Sequence, residues 1–176
     1  MHPVVGGSAA QQARAASICR LGERLALVTA QAVELEKEIS VLGKARFCPL
    51  MEVKGVKGLT AGTLAGLLGC GQRFAREDRL AAYAGIAPLE ASSGGVVRHR
   101  LNRTGNRQLN ALVHRIALTQ VRSLPAAKAY VERRQREGKS KREALRALKR
   151  YIIRAIWHSW QACWSAGVAQ SAPKAA

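Results

Sequence analysis

Two adjacent serines, a pair of adjacent glycines and four arginines lie within one short stretch of the sequence, residues 92–107. A serine hydroxyl can attack a phosphorus atom where cationic side chains stabilise the negative charge that develops. The glycines would let the backbone approach a ligand closely. Taken alone, this composition favours a flexible basic loop that contacts DNA phosphates over one that carries a nucleophile. The residues are Ser92, Ser93, Gly94, Gly95, Arg98, Arg100, Arg103 and Arg107.

The net charge of the chain indicates a polyanionic partner. Lys and Arg number 29 against 11 Asp and Glu, so the formal charge is +18. Residues 98–154 contain 17 of these basic residues and only 3 acidic ones. Because arginine presents a planar fork that matches phosphate oxygens, and the charges here do not alternate in sign, the pattern predicts contact with nucleic acid. An anionic membrane surface is the second candidate.

The acidic residues and the cysteines argue against a metal centre on this chain. Asp78 is the only aspartate, so a pair of aspartates that holds two metal ions cannot be assembled. The four cysteines are far apart and lack zinc-binding spacing, as expected of reduced intracellular thiols. We expect no metal and no cofactor here. No apolar run is long enough to span a membrane and no signal peptide is recognisable, which predicts a cytoplasmic protein.

Residues 14–46 predict a coiled-coil helix. Apolar residues recur there at alternating intervals of three and four, the spacing of an a/d heptad seam. So narrow a seam needs a partner helix, which is either a second copy of the chain or another part of the same chain. The sustained heptads favour a homo-oligomer. The seam consists of Ile18, Leu21, Leu25, Val28, Ala32, Leu35, Ile39 and Leu42.

Residues 53–64 have the pattern of a helix-hairpin-helix unit, in which a glycine turn precedes an apolar helix. The turn and the start of the following helix would present backbone N–H groups to a DNA phosphate. The candidate contacts are Gly55, Lys57 and Gly58, although the second glycine stands one position later than usual. The alternative is a plain turn whose glycines allow close packing.

The remaining pattern is helical. Asn106 predicts the start of one helix, and Pro125 and Gly138 mark the start and the end of the next. Ser140 and Glu143 form a capping box for a last helix. We therefore expect a mainly α fold, in which a long N-terminal coiled-coil helix precedes a compact helical domain. The expected segments are a disordered lead (1–13), the coiled-coil helix (14–46), a helical DNA-binding domain with the helix-hairpin-helix-like element and the Ser/Gly/Arg-rich loop (47–165), and a disordered tail (166–176).

Five short blocks together form a specific pattern: residues 80–88, 92–94, 100–107, 138–139 and 149–150. In this order they resemble the C-terminal domain of the DEDD-type insertion-sequence transposases. That family includes the Piv-type DNA invertases and the bridge-RNA-guided recombinases. The resemblance covers nearly the whole chain and places the heptad helix as the family's coiled-coil linker.

The resemblance implies that catalysis is shared between two domains. Family members carry an N-terminal RuvC-like domain with four acidic metal-binding residues, followed by the coiled coil and this domain. The chain thus resembles the C-terminal half alone, and any divalent metal would belong to the missing RuvC-like domain. We expect the chain to be inactive as a recombinase by itself.

The resemblance also implies roles for individual residues. The serine nucleophile of the family, which becomes linked to DNA, corresponds to Ser93, with Ser92 as the alternative. The implied function is a transposase half that binds double-stranded DNA and supplies this serine, with a guide RNA as a further candidate partner. The alternative is a non-catalytic dimeric DNA-binding module, the remnant of a truncated element. The expected DNA contacts are Gly55, Lys57, Gly58, Arg98, Arg100, Arg103, Asn106, Arg107 and Lys139.

Overall fold

The computed structural model describes residues 8–90, 99–100 and 102–171, and it is mainly α-helical, as the sequence predicts. Two short strands pair in antiparallel fashion, with Leu89 opposite Arg100 and Glu90 opposite His99. The elements are α1 (Ala9–Arg46), a 3-10 helix (Cys48–Glu52), α2 (Gly58–Leu68), a second 3-10 helix (Gly71–Arg73), α3 (Glu77–Tyr83), β1 (Leu89–Glu90), β2 (His99–Arg100), α4 (Arg107–Ser123), α5 (Pro125–Arg136) and α6 (Lys141–Ser171).

The residues up to Glu38 form a unit of their own, and in it α1 is exposed along almost its whole length. The predicted heptad helix is therefore present. Its seam is uncovered, since the large apolar side chains there are between 56% and 69% exposed. These side chains are Ile18, Leu21, Leu25, Val28 and Leu35.

Helices extend into both terminal segments that the sequence predicts as disordered, 1–13 and 166–176. The first begins inside the segment 1–13, which the sequence predicts as disordered, because a capping box closes its first turn. In this box the backbone N–H of Ser8 donates to Gln11 Oε1 at 2.8 Å and that of Gln11 to Ser8 Oγ at 3.4 Å. At the other end, α6 continues to Ser171, past the predicted end of the domain. Proline, which stops helices, does not occur until Pro173.

The second unit, from Ile39 onward, is organised around α6. This helix packs against α3, α4, α5 and the first 3-10 helix, because its apolar residues recur every three or four positions and form one continuous face. The buried residues of this face are Ala144, Leu145, Leu148, Ile152, Ile153, Ile156 and Trp160. They share a hydrophobic core with Leu50, Leu64, Leu80, Leu109, Ile116 and Val131.

All three tryptophans of the chain lie on α6. Trp160 is buried in the core, and its ring meets that of Trp164 edge-on. Trp157 Nε1 donates a hydrogen bond of 2.9 Å to the carbonyl O of Phe74. Trp164 lies against Gly71, where a Cβ would collide with the indole ring. These side chains hold α6 against the chain between α2 and α3.

The segment predicted as a helix-hairpin-helix unit has a different construction. The turn follows a five-residue 3-10 helix and not an α-helix. Gly55 has a φ of +93°, and a Cβ there would lie 3.4 Å from Cγ2 of Ile116 on α4. Gly58 is buried because the backbone of Ser40 passes close to it, and a Cβ there would lie 2.6 Å from the Ser40 carbonyl O. Gly58 thus fits the alternative interpretation, a glycine that allows close packing, while Lys57 is exposed.

The last turns of α1 cross α2 at small residues. Gly43 is buried against the backbone of Gly58 and Gly62. A Cβ at Gly62 would lie 2.5 Å from Cγ2 of Ile39, so the Ile39 side chain occupies the space above that glycine. Ile39, which the sequence places on the coiled-coil seam, therefore packs within its own chain.

Candidate nucleic-acid interface

A tight turn between β2 and α4 is built from side-chain hydrogen bonds. Asn102 Oδ1 accepts from the backbone N–H of Thr104 at 3.0 Å and from its hydroxyl at 2.8 Å. Asn102 Nδ2 donates to the carbonyl O of Ala82, near the end of α3, at 3.2 Å. An asparagine that bonds to the backbone two residues on forms an Asx turn. This turn fixes residues 102–105 against the C-terminal end of α3.

The chain that follows α3 and the turn that precedes α4 meet at two glycines, Gly85 and Gly105. Gly85 follows α3 and has a φ of +65°. A Cβ at Gly105 would lie 2.2 Å from the backbone N of Gly85, which no side chain can do. Both positions therefore require glycine, one for its backbone conformation and the other for the close approach.

Asn106 positions the start of α4. Its Oδ1 accepts from the backbone N–H of Leu109 at 2.9 Å, which caps the helix as the sequence predicts. Its Nδ2 donates to the hydroxyl of Tyr83 at 2.9 Å, and its backbone N–H donates to the Tyr83 carbonyl O at 2.7 Å. The side chain that the sequence also predicts as a DNA contact is thus engaged within the protein.

A groove of about 990 Å³ opens beside this turn, between α4 and the first turns of α6. Six Lys or Arg side chains belong to its lining, and no carboxylate does among the residues described. Arg146 pairs with Glu143, which lies outside the lining, at 3.9 Å between Nη2 and Oε1. The other five cations form no ion pair with a described residue, so the groove keeps a net positive charge and attracts anions. The cationic residues are Arg103, Arg107, Lys141, Arg142, Arg146 and Lys149.

Lys149 is the deepest of these cations, with only 7% of its surface exposed. Its Nζ donates to Asn110 Oδ1 at 2.7 Å. Asn110 Nδ2 in turn donates to the carbonyl oxygens of Ala84 at 2.8 Å and Gly85 at 3.3 Å, so the amide oxygen is directed at Lys149. Burial, followed by the neighbouring charge of Arg146, lowers the pKa of Lys149 below its usual value. No ion pair in the described part of the chain includes Lys149.

The structure brings some predicted residues together and separates others. Arg103 and Arg107 both line the groove. Lys139 is exposed between α5 and α6 and is not among the lining residues. Arg100 belongs to β2, and Ser92, Ser93 and Arg98 lie outside the described residues. Gly55 and Lys57 precede α2 and Gly58 is its first residue, and none of the three belongs to the lining.

The sequence contains a signal for the rest of the groove, although reasoning from charge alone does not find it. Arg142, Arg146 and Lys149 follow one another at intervals of four and three, which places them on one face of a helix. Arg107, Asn110 and His114 have a similar spacing on α4 and also line the groove. Two polar faces of this kind on helices that pack together indicate a shared surface.

The described residues contain neither a metal cluster nor a membrane span. No three His, Cys, Asp or Glu side chains within residues 8–90, 99–100 and 102–171 are grouped so that they could hold a metal ion. In the same part of the chain, no helix is sufficiently long and apolar to cross a membrane.

Residues 49–132 match the protein family described as the Transposase IS116/IS110/IS902 family. The matched range includes the Asx turn, the Gly85–Gly105 crossing and the whole of α4. It ends before α6, which supplies the other wall of the groove.

Two curated proteins are similar to the chain over part of their length. The insertion element IS110 uncharacterized 43.6 kDa protein of Streptomyces coelicolor is 33% identical over 140 residues, which are 78% of this chain and 35% of that protein. The insertion element IS900 uncharacterized 42 kDa protein of Mycobacterium paratuberculosis is 34% identical over 85 residues, 48% of this chain and 21% of that protein. The chain thus matches only about a third of the first relative and about a fifth of the second. Both relatives are named as proteins of insertion elements.

Proposed function

We propose that the groove between α4 and α6 binds the phosphate backbone of double-stranded DNA, as part of an insertion-element transposase. The observation that carries this proposal is the lining, in which six cationic side chains have no carboxylate among them. Arginine and lysine contacts to phosphates supply most of the sequence-independent affinity for DNA. The family match over residues 49–132 supports DNA as the polyanion.

The positions of the cations on their helices support the same partner. Arg107 is the first residue of α4, and Lys141 is the first residue of α6. Both helices therefore direct their N-terminal ends, which carry partial positive charge, toward the groove. Backbone and side-chain charges thus act in the same direction.

The dependence of DNA affinity on salt tests this proposal. For the parent chain and random-sequence duplex, we expect the logarithm of the association constant to fall linearly with the logarithm of salt concentration. Replacing Arg107 and Arg146 with Ala lowers this slope by about one unit for each lost phosphate contact. The matched control is Arg136→Ala, which removes the same charge from an exposed position of α5 outside the lining. A flat dependence, or an equal loss per residue in the control, contradicts the proposal.

Ser93, with Ser92 as the alternative, supplies the nucleophile in this function, and a RuvC-like domain supplies the acidic metal ligands. The resemblance of the Ser-Gly element to that of the transposases supports this assignment. The connectivity supports it as well. The segment 91–98 joins two strands that pair with each other, and β2 is followed within three positions by the groove residues Asn102 and Arg103.

The serine assignment is tested by trapping a protein–DNA adduct. The chain is mixed with the RuvC-like domain of an intact relative, divalent metal and DNA, and adducts that survive denaturant are counted. We expect adducts with the parent and with Ser92→Ala, and none with Ser93→Ala, whose DNA affinity stays at the parental value. If adducts disappear only with Ser92→Ala, the nucleophile is Ser92 and not Ser93. Adducts that persist in both variants refute the assignment.

A DNA-binding module without catalysis is the second candidate. It is favoured by two described features that need no chemistry, the basic groove and the uncovered seam of α1. In that case the complemented chain binds DNA and forms no adduct. A guide RNA is a second candidate polyanion for the groove, and its competition with duplex DNA in the salt titration measures that preference.

A further inference from the structure

The buried lysine gives the groove a discrete binding site. We propose that Lys149, together with Arg146 and Arg107, forms a site for a single phosphate group deep in the groove. This inference rests on the proposed function, which makes the nucleic-acid backbone the source of that phosphate group. The chemistry of the site itself applies to any phosphate.

The surroundings of Lys149 lack a negative partner. A lysine ammonium taken out of water is costly unless another charge or several hydrogen bonds compensate it. Lys149 is 7% exposed, and its described partner is the neutral amide oxygen of Asn110. An ammonium group has three N–H donors, of which Asn110 takes one. The lowered pKa of Lys149 has the same cause, because burial opposes the charged form. A phosphate oxygen supplies both the missing charge and further acceptors.

The hydrogen bond to Asn110 holds the Lys149 ammonium inside the groove. Exposed lysines extend their charge into water along a flexible stem. Here the two hydrogen bonds from Asn110 Nδ2 to the carbonyl oxygens of Ala84 and Gly85 hold the amide oxygen in place. The cation is therefore positioned before a ligand arrives, which lowers the entropic cost of binding.

Two arginines complete the site from both walls. Arg146 lies three residues before Lys149 on α6, close enough for its charge to lower the pKa of that lysine. Arg107 lies three residues before Asn110 on α4, and both line the same groove. Residues three apart share a helix face. Two helices thus contribute cations to one groove, and a guanidinium group can bind two phosphate oxygens at once. The present partner of Arg146 is Glu143, at 3.9 Å between Nη2 and Oε1 on the exposed surface of α6.

The site is tested with inorganic phosphate and the full chain. Thermal unfolding is followed by circular dichroism as phosphate is added at constant ionic strength. We expect the Tm of the parent to rise by several degrees, because a ligand of the native state stabilises it by mass action. Phosphate also stabilises proteins generally through exclusion from their surface. The decisive quantity is therefore the rise in Tm of the parent minus the rise in Tm of Lys149→Met. We expect Lys149→Met to lose most of the rise that the parent shows.

A second pair of variants leaves Lys149 untouched. Ala111 is exposed on α4 and lines the groove, so either Glu or Gln is tolerated there without loss of folding. Ala111→Glu places a carboxylate in the site and is expected to weaken phosphate binding at least tenfold by calorimetry. Ala111→Gln has the same size without the charge and is expected to bind as the parent does. Equal binding in both variants overturns the proposal, even if Lys149→Met fails to fold.

The outcomes separate this site from the proposed function. If DNA binding depends on Arg107 and Arg146 but phosphate stabilises the parent and Lys149→Met equally, the single-phosphate site is refuted and the DNA groove stands. If phosphate binds in a Lys149-dependent way but duplex DNA affinity ignores the groove variants, the site stands and its source is free phosphate. An effect of Arg136→Ala on phosphate binding as large as that of Lys149→Met indicates diffuse attraction to charge and overturns the site.

Discussion

The stretch from Asn102 to Arg107 combines residues that build a turn with residues that line the groove, and Asn102 does both. Asn102 and Thr104 bond to each other, and Asn106 caps α4. Arg103 and Arg107 stand between and after them and are exposed. One short motif thus determines both the local fold and the direction in which two cations point.

Gly105 is the position in this stretch least able to change. Gly105→Ala is expected to lower the free energy of unfolding by more than about 2 kcal/mol. The added methyl group meets the backbone of Gly85, which cannot move aside as a flexible side chain can. Gly66→Ala is the control. Gly66 is exposed inside α2 with nothing near a Cβ, and the same substitution there is expected to stabilise by about 0.5–1 kcal/mol. Urea denaturation followed by circular dichroism measures both. Equal shifts in the two variants contradict the close approach.

Lys149 marks the limit of prediction at this scale. Arg103 and Arg107 are recognisable in the sequence because they belong to a dense arginine cluster. The importance of Lys149 depends on Asn110, 39 residues earlier, and on the carbonyl oxygens that orient Asn110. Burial of a charge is a property of the tertiary structure, and no local pattern encodes it.

Helix ends are the elements that local sequence predicts best. Asn106 caps α4, Pro125 is the first residue of α5, and Gly138 follows its end with a φ of +84°. Each prediction rests on backbone geometry that neighbouring residues determine. The glycine turn before α2 is different, since the role of Gly58 depends on Ser40 of another helix.

The capping box of α6 provides a pH-dependent test. Ser140 donates to Glu143 Oε2 through its backbone N–H at 2.9 Å and its hydroxyl at 2.7 Å, and these bonds lower the pKa of the Glu143 carboxyl below its ordinary 4.5. Ser140→Ala is expected to lower the free energy of unfolding by about 1 kcal/mol at neutral pH. Because the folded pKa is the lower one, the contribution of Glu143 is complete above pH 4.5 and is lost as the pH falls through the lowered value.

The difference between Ser140→Ala and the parent therefore shrinks in acid. The control is Ser165→Ala on the same helix, whose hydroxyl bonds to the carbonyl O of Gln161 and to no carboxylate. Its effect is expected to be the same at pH 7 and at pH 4. A constant effect of Ser140→Ala across this range contradicts the role assigned to Glu143.

Self-association through α1 belongs to the whole molecule. We expect Leu25→Glu combined with Leu35→Glu to reduce the sedimentation coefficient to that of a monomer, because charge at seam positions is buried without a partner in a coiled coil. Ile39 is left unchanged, since it packs on Gly62 within the chain. Leu27→Glu combined with Val33→Glu is the matched control, because both residues are exposed but lie off the seam. A parent that sediments as a monomer refutes the dimer.

The overall class of the fold follows from the sequence, whereas the groove does not. Helical periodicity is a local property, and it predicts a mainly α chain with one long N-terminal helix, as the structure has it. The groove requires α4 and α6 to lie side by side, and that depends on how the apolar faces of several helices fit together. The charge distribution indicates the half of the chain that contributes all six cations of the groove, without defining the site.

The three tryptophans of α6 give the protein its own optical reporter. Trp160 is buried and Trp164 is 39% exposed, so the two indoles emit in different environments. The same helix contributes four of the six groove cations. Tryptophan fluorescence therefore comes entirely from α6, the helix whose first turns form one wall of the groove. A ligand that shifts α6 changes the tryptophan emission without any attached dye.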